Sequence, residues 1–167
     1  MKEQNLKKFL VDEMLGEVAR WLRLLGYDAD YLKDVTDQEL INRSKRDGRV
    51  LLTSDQELQA RATKEGIHSL LLQSGSVTSK LVALAKAYKL DLCLNPTNSR
   101  CPICNGKVRE VCNTKELNDS VPSKVLDKND EFWVCTKCNK VYWVGGHWKN
   151  ITRTINEVKD LLREQLA

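Results

Sequence analysis

Carboxylates occur at three places in the chain where an apolar segment gives way to a helical pattern. Asp12 and Glu13 follow the apolar run 9–11, Asp37 begins the helix after the second strand, and Asp55 follows the third strand. Carboxylates that meet raise each other's pKa, and a hard cation such as Mg²⁺ or Mn²⁺ keeps them ionised. Such an ion orients a water molecule and stabilises charge on a phosphoryl group. The pattern therefore predicts a metal site, with Glu13 ranked behind the three aspartates.

A purely structural reading of these acids stays open. An acid in the first turn of a helix is stabilised by the helix dipole alone, which explains Asp37 or Asp55 taken singly. Asp12 is harder to explain in this way, because it comes directly after an apolar strand. Since the carboxyl ends of parallel strands share one edge of a sheet, where ligands bind, the three together favour the metal site.

Four cysteines have the spacing of a zinc site. Cys101 and Cys104 form one Cys-x-x-Cys pair, and Cys135 and Cys138 form another after an interval of 30 residues. Thiolates two residues apart can reach one zinc ion from a tight turn, and four sulfurs close its tetrahedral shell. We therefore expect structural zinc, with a redox pair or a chance repetition as the alternatives. Cys93 and Cys112 lie outside this pattern and receive no role.

Strand-like and helical segments alternate through residues 7–90. Apolar runs fit strands buried on both faces, and the capping boxes 36–39 and 54–57 mark helix starts, with Thr36 and Ser54 as the capping residues. Four such units predict parallel pairing with right-handed crossovers, hence a three-layer α/β domain over residues 1–92. The segment 93–149 then holds the cysteines, and an amphipathic helix over 150–167 is expected to pack on one of the two domains.

Composition limits the classes of function without choosing one. The 167 residues are 41% hydrophobic and 30% charged, with a net charge of +4, which permits a polyanionic partner but does not require one. No apolar run approaches a membrane span, and the polar segment 1–5 lacks the apolar core of a signal peptide. We expect a cytoplasmic protein, and the oligomeric state is not indicated.

Several motifs in order resemble the Mut-seven C-terminal RNase domain family, a PIN-like domain with an appended zinc ribbon. The resemblance spans about residues 7–149. The segments that carry it are Phe9-Leu10-Val11-Asp12-Glu13-Met14-Leu15-Gly16, Ala19-Arg20-Trp21-Leu22-Arg23-Leu24-Leu25-Gly26-Tyr27-Asp28, Arg49-Val50-Leu51-Leu52-Thr53-Ser54-Asp55, both cysteine pairs, and Val141-Tyr142-Trp143 with Gly146-His147-Trp148.

The resemblance implies a PIN-like nuclease domain with a central, mainly parallel four-stranded sheet, followed by a zinc ribbon and a C-terminal helix. It implies a metal-dependent ribonuclease, with the family's acids at Asp12, Asp37 and Asp55. Ribosomal or other structured RNA is among the candidate substrates. One departure stands out: many PIN domains carry another acid after the fourth strand, where this chain has Gln73-Ser74-Gly75. A second metal ion is therefore in doubt.

Four residues are candidates for contact with RNA. Arg20 and Arg23 fall on the side of the first helix away from its apolar stripe, and guanidinium groups suit bidentate contacts with phosphate. His147 and Trp148 follow the second cysteine pair, where aromatic rings can stack on unpaired bases. The alternatives are solvated arginines and a small aromatic core for the ribbon, which we favour for Trp143.

Two other functions stay open beside an endoribonuclease. In the first, a non-catalytic RNA-binding or ribosome-associated protein uses the ribbon and the basic helix, and the acids are vestigial. In the second, a phosphoacceptor domain of the response-regulator kind uses Asp12 and Glu13 for Mg²⁺ and Asp55 for phosphate. The second function requires a lysine after a later strand, which residues 91–98 do not supply.

Overall fold

A computed structural model describes residues 7–117 and 119–165 of the chain. Its first part alternates strand and helix four times and forms a parallel sheet with strand order β2-β1-β3-β4, as the sequence predicts. The elements are β1 (Phe9–Val11), α1 (Gly16–Leu24), β2 (Ala29–Tyr31), α2 (Asp37–Asp47), β3 (Val50–Thr53), α3 (Gln56–Lys64), β4 (Ser69–Leu71) and α4 (Val77–Tyr88). Residues 1–6 of the expected first domain lie outside the described part.

Local sequence explains where the helices of this domain begin and end. The Thr36 hydroxyl accepts a hydrogen bond from the backbone N–H of Glu39, and Gly48 ends α2 in the left-handed conformation. The second capping residue differs from the prediction. Asp55, not Ser54, caps α3, and its carboxylate accepts from two backbone N–H groups. Both residue types cap helices well, so the sequence pattern did not separate them.

The sheet separates two apolar layers. On one face β1 and β3 pack against α1 and α4, and on the other they pack against α2 and α3. The two central strands are buried along their whole length, which is why they read as continuous apolar runs. The three-layer α/β architecture is therefore confirmed.

The second part is a three-stranded antiparallel sheet with order β5-β6-β7. Its strands are β5 (Val108–Glu110), β6 (Phe132–Cys135) and β7 (Val141–Trp143). Between β5 and β6 lies the short helix α5 (Ser123–Leu126), which helps to cover a small apolar core around Phe132. This core accounts for much of the long interval between the cysteine pairs.

The last helix, α6 (Gly146–Glu164), begins four residues before the predicted start at 150. Gly145 is its capping residue and Gly146 its first residue. Ile155 and Val158 join the apolar layer that contains α1 and α4, so the helix packs on the first domain. Residues 166 and 167 of the expected helix lie outside the described part. Within that part, no helix is both long and apolar enough to span a lipid bilayer.

Candidate active site and metal centre

Asp12 and Asp55 lie at the carboxyl edge of the parallel sheet and are linked through Thr53. The Thr53 hydroxyl donates to Asp12 Oδ2 at 2.8 Å and accepts from the backbone N–H of Asp55 at 3.0 Å. Thr53 is fully buried at the end of β3, and these two bonds satisfy its polar group. The hydroxyl therefore fixes the Asp12 carboxylate beside the start of α3.

Each of these two aspartates uses one oxygen to cap a helix. Asp12 Oδ1 accepts from the backbone N–H of Glu13, where a single 3₁₀ turn begins, and Asp55 Oδ1 accepts from Glu57 and Leu58. The capping bonds orient both side chains without consuming the second oxygen of Asp55. Capping a helix and binding a metal ion are therefore compatible roles for these acids, because one carboxylate has an oxygen for each.

Asp37 and Glu13 point elsewhere. Asp37 Oδ2 accepts from Arg61 Nη1 at 3.0 Å, and the side chains of both residues are more than two-fifths exposed. Glu13 Oε2 accepts from the backbone N–H of Asp34, which holds the loop after β2 against the end of β1. Across the described residues, no three carboxylates have oxygens within 4.8 Å of one another. The structure thus links the Asp12 carboxylate to the backbone of Asp55 through Thr53, and it orients Asp37 toward α3.

A groove of about 540 Å³ runs beside this edge. It is lined by Met14 and Leu15, just after Asp12, and by Ser54 and Gln56, on either side of Asp55. Its other lining residues come from the end of β4, the loop after it and α4, and Lys80 is the one cation among them: Leu71, Gln73, Ser74, Gly75 and Lys80. The segment where an additional acid was sought therefore lines the groove with uncharged groups.

The four cysteines of the two pairs converge, as their spacing predicts. Their sulfur atoms all lie within 4.8 Å of one another, and the set could bind a metal ion such as zinc. Asn105 and Asn139 each follow a pair in the left-handed conformation, with φ of 64° and 59°, which closes the two turns. Backbone N–H groups of Lys137 and Cys138 point at Cys135 Sγ. An all-sulfur donor set with this support fits structural zinc.

The thiols of this cluster differ in acidity. Burial opposes ionisation of Cys101, but its hydrogen bond with the Tyr142 hydroxyl and nearby backbone N–H groups lower the pKa of its thiol to about 7. Burial and the surrounding thiols raise the pKa of Cys104 to about 12. Ionised thiols this close to one another repel, and a bound cation relieves that repulsion, which is a further reason for the cluster to bind one.

Arg23 is not on the outer side of α1, contrary to the sequence prediction. It is 5% exposed, and its guanidinium donates to the backbone carbonyls of Ala29, Pro102 and Ile103. These bonds attach the first cysteine turn to the end of α1 and to β2. Arg23 is therefore a structural link between the two parts of the chain and is not available to contact RNA.

Asn105 makes the complementary link from the cysteine turn. Its side chain accepts from the backbone N–H of Ala29 and donates to Asp28 and Asp30. Burial raises the pKa of the Asp28 carboxyl, but the hydrogen bonds from Arg49 and Asn105 outweigh it, so that the pKa lies below its ordinary value. The ribbon is thus attached at the amino edge of the parallel sheet, opposite the edge that holds Asp12.

The other three residues proposed for RNA contact line one cleft. Arg20 of α1 lies there with His147 and Trp148 of the first turn of α6, and the cleft has a volume of about 530 Å³. Arg20 and His147 are exposed, and Trp148 is half-buried. Trp143 lies 38% exposed in the same cleft, so it is not the core residue that we favoured.

Two residues of the acidic edge were missed by the sequence analysis. Thr53 is a polar residue at the end of an otherwise apolar strand, directly before Ser54 and Asp55, and that position could have identified it. Lys80 had no such signal, because a lysine on an amphipathic helix is ordinarily solvated. Its place in the groove follows only from how α4 packs beside β4.

Comparison with known proteins identifies a family. The family model described as the Mut7-C RNAse domain matches residues 7–155, which is most of the chain. Neither the curated proteins nor the solved structures contain a significant match.

Proposed function

The chain belongs to the Mut7-C RNAse domain family, and from that premise we propose that it is a divalent-metal-dependent ribonuclease that cuts within RNA strands. The family's description implies RNA as the substrate. The observation that carries the proposal is the link from the Asp12 carboxylate through the Thr53 hydroxyl to the Asp55 backbone at the carboxyl edge, the edge where parallel sheets bind ligands. A four-thiol cluster suits the reducing cytoplasm, where we place the reaction.

The donor set at this edge fits Mg²⁺ or Mn²⁺. Its atoms are carboxylate oxygens, and Mg²⁺ is commonly held by one or two carboxylates with water completing its shell. Asp12 and Asp55 would hold the ion. Once bound, such an ion lowers the pKa of a coordinated water and stabilises charge on the phosphoryl oxygens. Asp12 keeps its position through Thr53, and Asp55 through the start of α3.

Asp37 is proposed as the third ligand of the divalent ion, beside Asp12 and Asp55. Its pairing with Arg61 is exposed, and exposed ion pairs contribute about 0–1 kcal/mol. The cost of releasing the Asp37 carboxylate toward a cation is therefore small. Once the Asp37 carboxylate has left this ion pair, the Arg61 guanidinium is free to contact a phosphate of the bound RNA.

The groove supplies the contacts of the reaction. Lys80 offers the cation that would hold the scissile phosphate, and Gln73 and Ser74 of the same groove offer hydrogen-bond donors. In hydrolysis, the oxygen of a water molecule forms the new bond to phosphorus. The bridging bond to one ribose oxygen breaks, and that oxygen takes up a proton.

The test is cleavage of circular RNA, which only an internal cut can open. Zinc-loaded protein is incubated with Mn²⁺ or Mg²⁺, and Asp12→Asn and Asp55→Asn are compared with Asp160→Asn. Asparagine is also a good capping residue, so the two variants remove the negative charge and can keep the capping hydrogen bond. Asp160 is the control because it is an exposed aspartate on α6, which does not line the groove, and the same substitution removes the same charge there.

We expect the wild-type protein and Asp160→Asn to open the circle only when the divalent ion is present. Asp12→Asn and Asp55→Asn lose about 100-fold or more of this activity, the scale on which charge stabilisation acts. Undiminished cleavage by either variant contradicts the proposal.

The residues at the edge also favour a second candidate, a non-catalytic RNA-binding protein. Gln73 stands where another acid was sought, and Asp37 faces Arg61 and not the other two carboxylates. This candidate predicts that the purified protein retards RNA in a gel and leaves it intact at every Mn²⁺ concentration.

A further inference from the structure

The cleft of about 530 Å³ lies between α1, β7 and the start of α6, apart from the groove beside the carboxyl edge. Its volume falls within the range of small-ligand sites, about 300–1,000 Å³. Its lining is mainly apolar and aromatic, and α6 carries no acid in its first turn. Which lining side chains are already hydrogen-bonded or ion-paired within the protein indicates which of them can bind a ligand.

Two of the aromatic residues are already engaged. Trp133 is 5% exposed and its indole N–H donates to Thr97, while the Tyr142 hydroxyl lies 3.0 Å from Cys101 Sγ. Trp143 and Trp148 keep exposed surface within the cleft. Trp143 packs against Gly145, where an added Cβ would lie 2.9 Å from its indole nitrogen. The absence of a side chain at Gly145 thus lets the Trp143 ring lie close to the start of α6.

The charged residues of the cleft are all cationic. Arg20, Arg100 and Lys140 line it, and its lining contains no aspartate or glutamate. Arg100 is engaged with Asp28 and with the carbonyl of Asn105. Arg20 and Lys140 are exposed and form no ion pair with any acid in residues 7–117 or 119–165. Free cations beside exposed aromatic rings match the two halves of a nucleotide, its phosphate and its base.

The cleft and the groove beside the carboxyl edge lie near the same helix, because Met14 and Leu15, just before α1, line the groove and Arg20 of α1 lines the cleft. Helix α1 begins just after Asp12 and the 3₁₀ turn, and Arg20 lies four residues beyond its first residue, about 6 Å along the axis. A single strand of RNA that passes the carboxyl edge can therefore continue along α1 toward the cleft. The cleft would then hold nucleotides next to those at the groove.

We propose that this cleft binds an unpaired nucleotide of the RNA, with the base against Trp148 and Trp143 and the phosphate between Arg20 and Lys140. The inference rests on the proposed function in taking RNA as the ligand. It adds that the substrate must contain an unpaired segment, because a base within a duplex does not offer its face to an aromatic ring.

The experiment measures binding without cleavage. The parent protein carries Asp12→Asn to prevent cleavage. A chelator is not used for this purpose, because it would also remove metal from the cysteine cluster. Fluorescence anisotropy follows a labelled oligouridine and a blunt RNA duplex of the same length, and tryptophan emission is recorded in parallel. The variants are Arg20→Ala, Trp148→Ala and Trp148→Phe. Arg46→Ala, an exposed arginine of α2 on the other face of the sheet, is the matched control.

The parent is expected to bind the oligouridine more tightly than the duplex, with quenching of its tryptophan emission. Trp148→Ala weakens this binding about 5- to 150-fold, the range for loss of one stacked base, and Trp148→Phe restores most of it. Arg20→Ala weakens binding and lowers the slope of log Kd against log salt concentration by about 1. Arg46→Ala leaves binding unchanged.

Equal affinity of parent, Arg20→Ala and Trp148→Ala for the oligouridine overturns the inference, as does an equal or higher affinity of the parent for the duplex. Self-association lost in Trp148→Ala, measured by sedimentation, would assign the cleft to a second copy of the chain and also overturn it. If the wild-type protein cleaves RNA while the cleft variants bind normally, only this inference fails. If no RNA is cleaved but Trp148→Ala loses binding, only the nuclease proposal fails.

Discussion

At the scale of single residues, the acidic edge depends on the buried hydroxyl of Thr53. It is bonded to the Asp12 carboxylate on one side and to the Asp55 backbone on the other. Thr53→Val keeps the shape of the side chain and leaves the Asp55 N–H without its partner. We expect a loss of about 1–3 kcal/mol in the free energy of unfolding, measured in urea.

The same substitution also tests whether Thr53 positions the site. Cleavage should fall at least about tenfold, since small displacements of a catalytic group are costly, and Thr53→Ser should recover it. Thr63→Val, which removes an exposed hydroxyl of α3, is the control. Equal activity of Thr53→Val and the wild-type protein would show that the hydroxyl does not orient Asp12.

At the scale of elements, the cysteine turn and the parallel sheet are joined by side chains from each. Asn105→Gly keeps the left-handed backbone and removes the amide that bonds Ala29, Asp28 and Asp30. We expect it to lower the free energy of unfolding by about 1–3 kcal/mol, measured by urea denaturation.

Asn139→Gly provides the matched control for that prediction. Asn139 has the same conformation after the second cysteine pair, and its side chain makes no hydrogen bond to the described residues. Its replacement should change the free energy of unfolding by less than about 0.5 kcal/mol. Equal losses in the two variants would mean that the Asn105 amide does not join the ribbon to the sheet.

The same elements indicate what the sequence could and could not predict. The strand–helix alternation and the cysteine cluster were predictable, because apolar runs, caps and Cys-x-x-Cys spacing are local signals. The burial of Arg23 was not, because two of its acceptors, Pro102 and Ile103, lie about 80 residues away in the chain. The orientation of Asp37 likewise depends on Arg61, which tertiary packing places beside it.

At the scale of the whole molecule, the cysteine cluster should stabilise the first domain as well as the ribbon. The reason is that the first cysteine turn is hydrogen-bonded to α1 and β2 through Arg23 and Asn105. Cys138→Ser should lower the zinc content and reduce the Tm of the whole chain by about 5 °C or more, as each kcal/mol corresponds to about 2–4 °C at this size. Cys93→Ser, an exposed cysteine outside the cluster, should change neither quantity. Calorimetry measures the Tm and metal analysis the zinc content of each variant. An unchanged Tm in Cys138→Ser would contradict the idea that the cysteine cluster stabilises the whole chain.

The proposed nuclease activity depends most directly on a cation shared by Asp12 and Asp55. Electron paramagnetic resonance of free Mn²⁺ measures this, because the signal of the free ion falls as protein binds it. Titration of the zinc-loaded protein should reveal a Mn²⁺ site that Asp12→Asn and Asp55→Asn each lose and that Asp160→Asn retains. Equal Mn²⁺ binding by all four proteins would contradict the central claim.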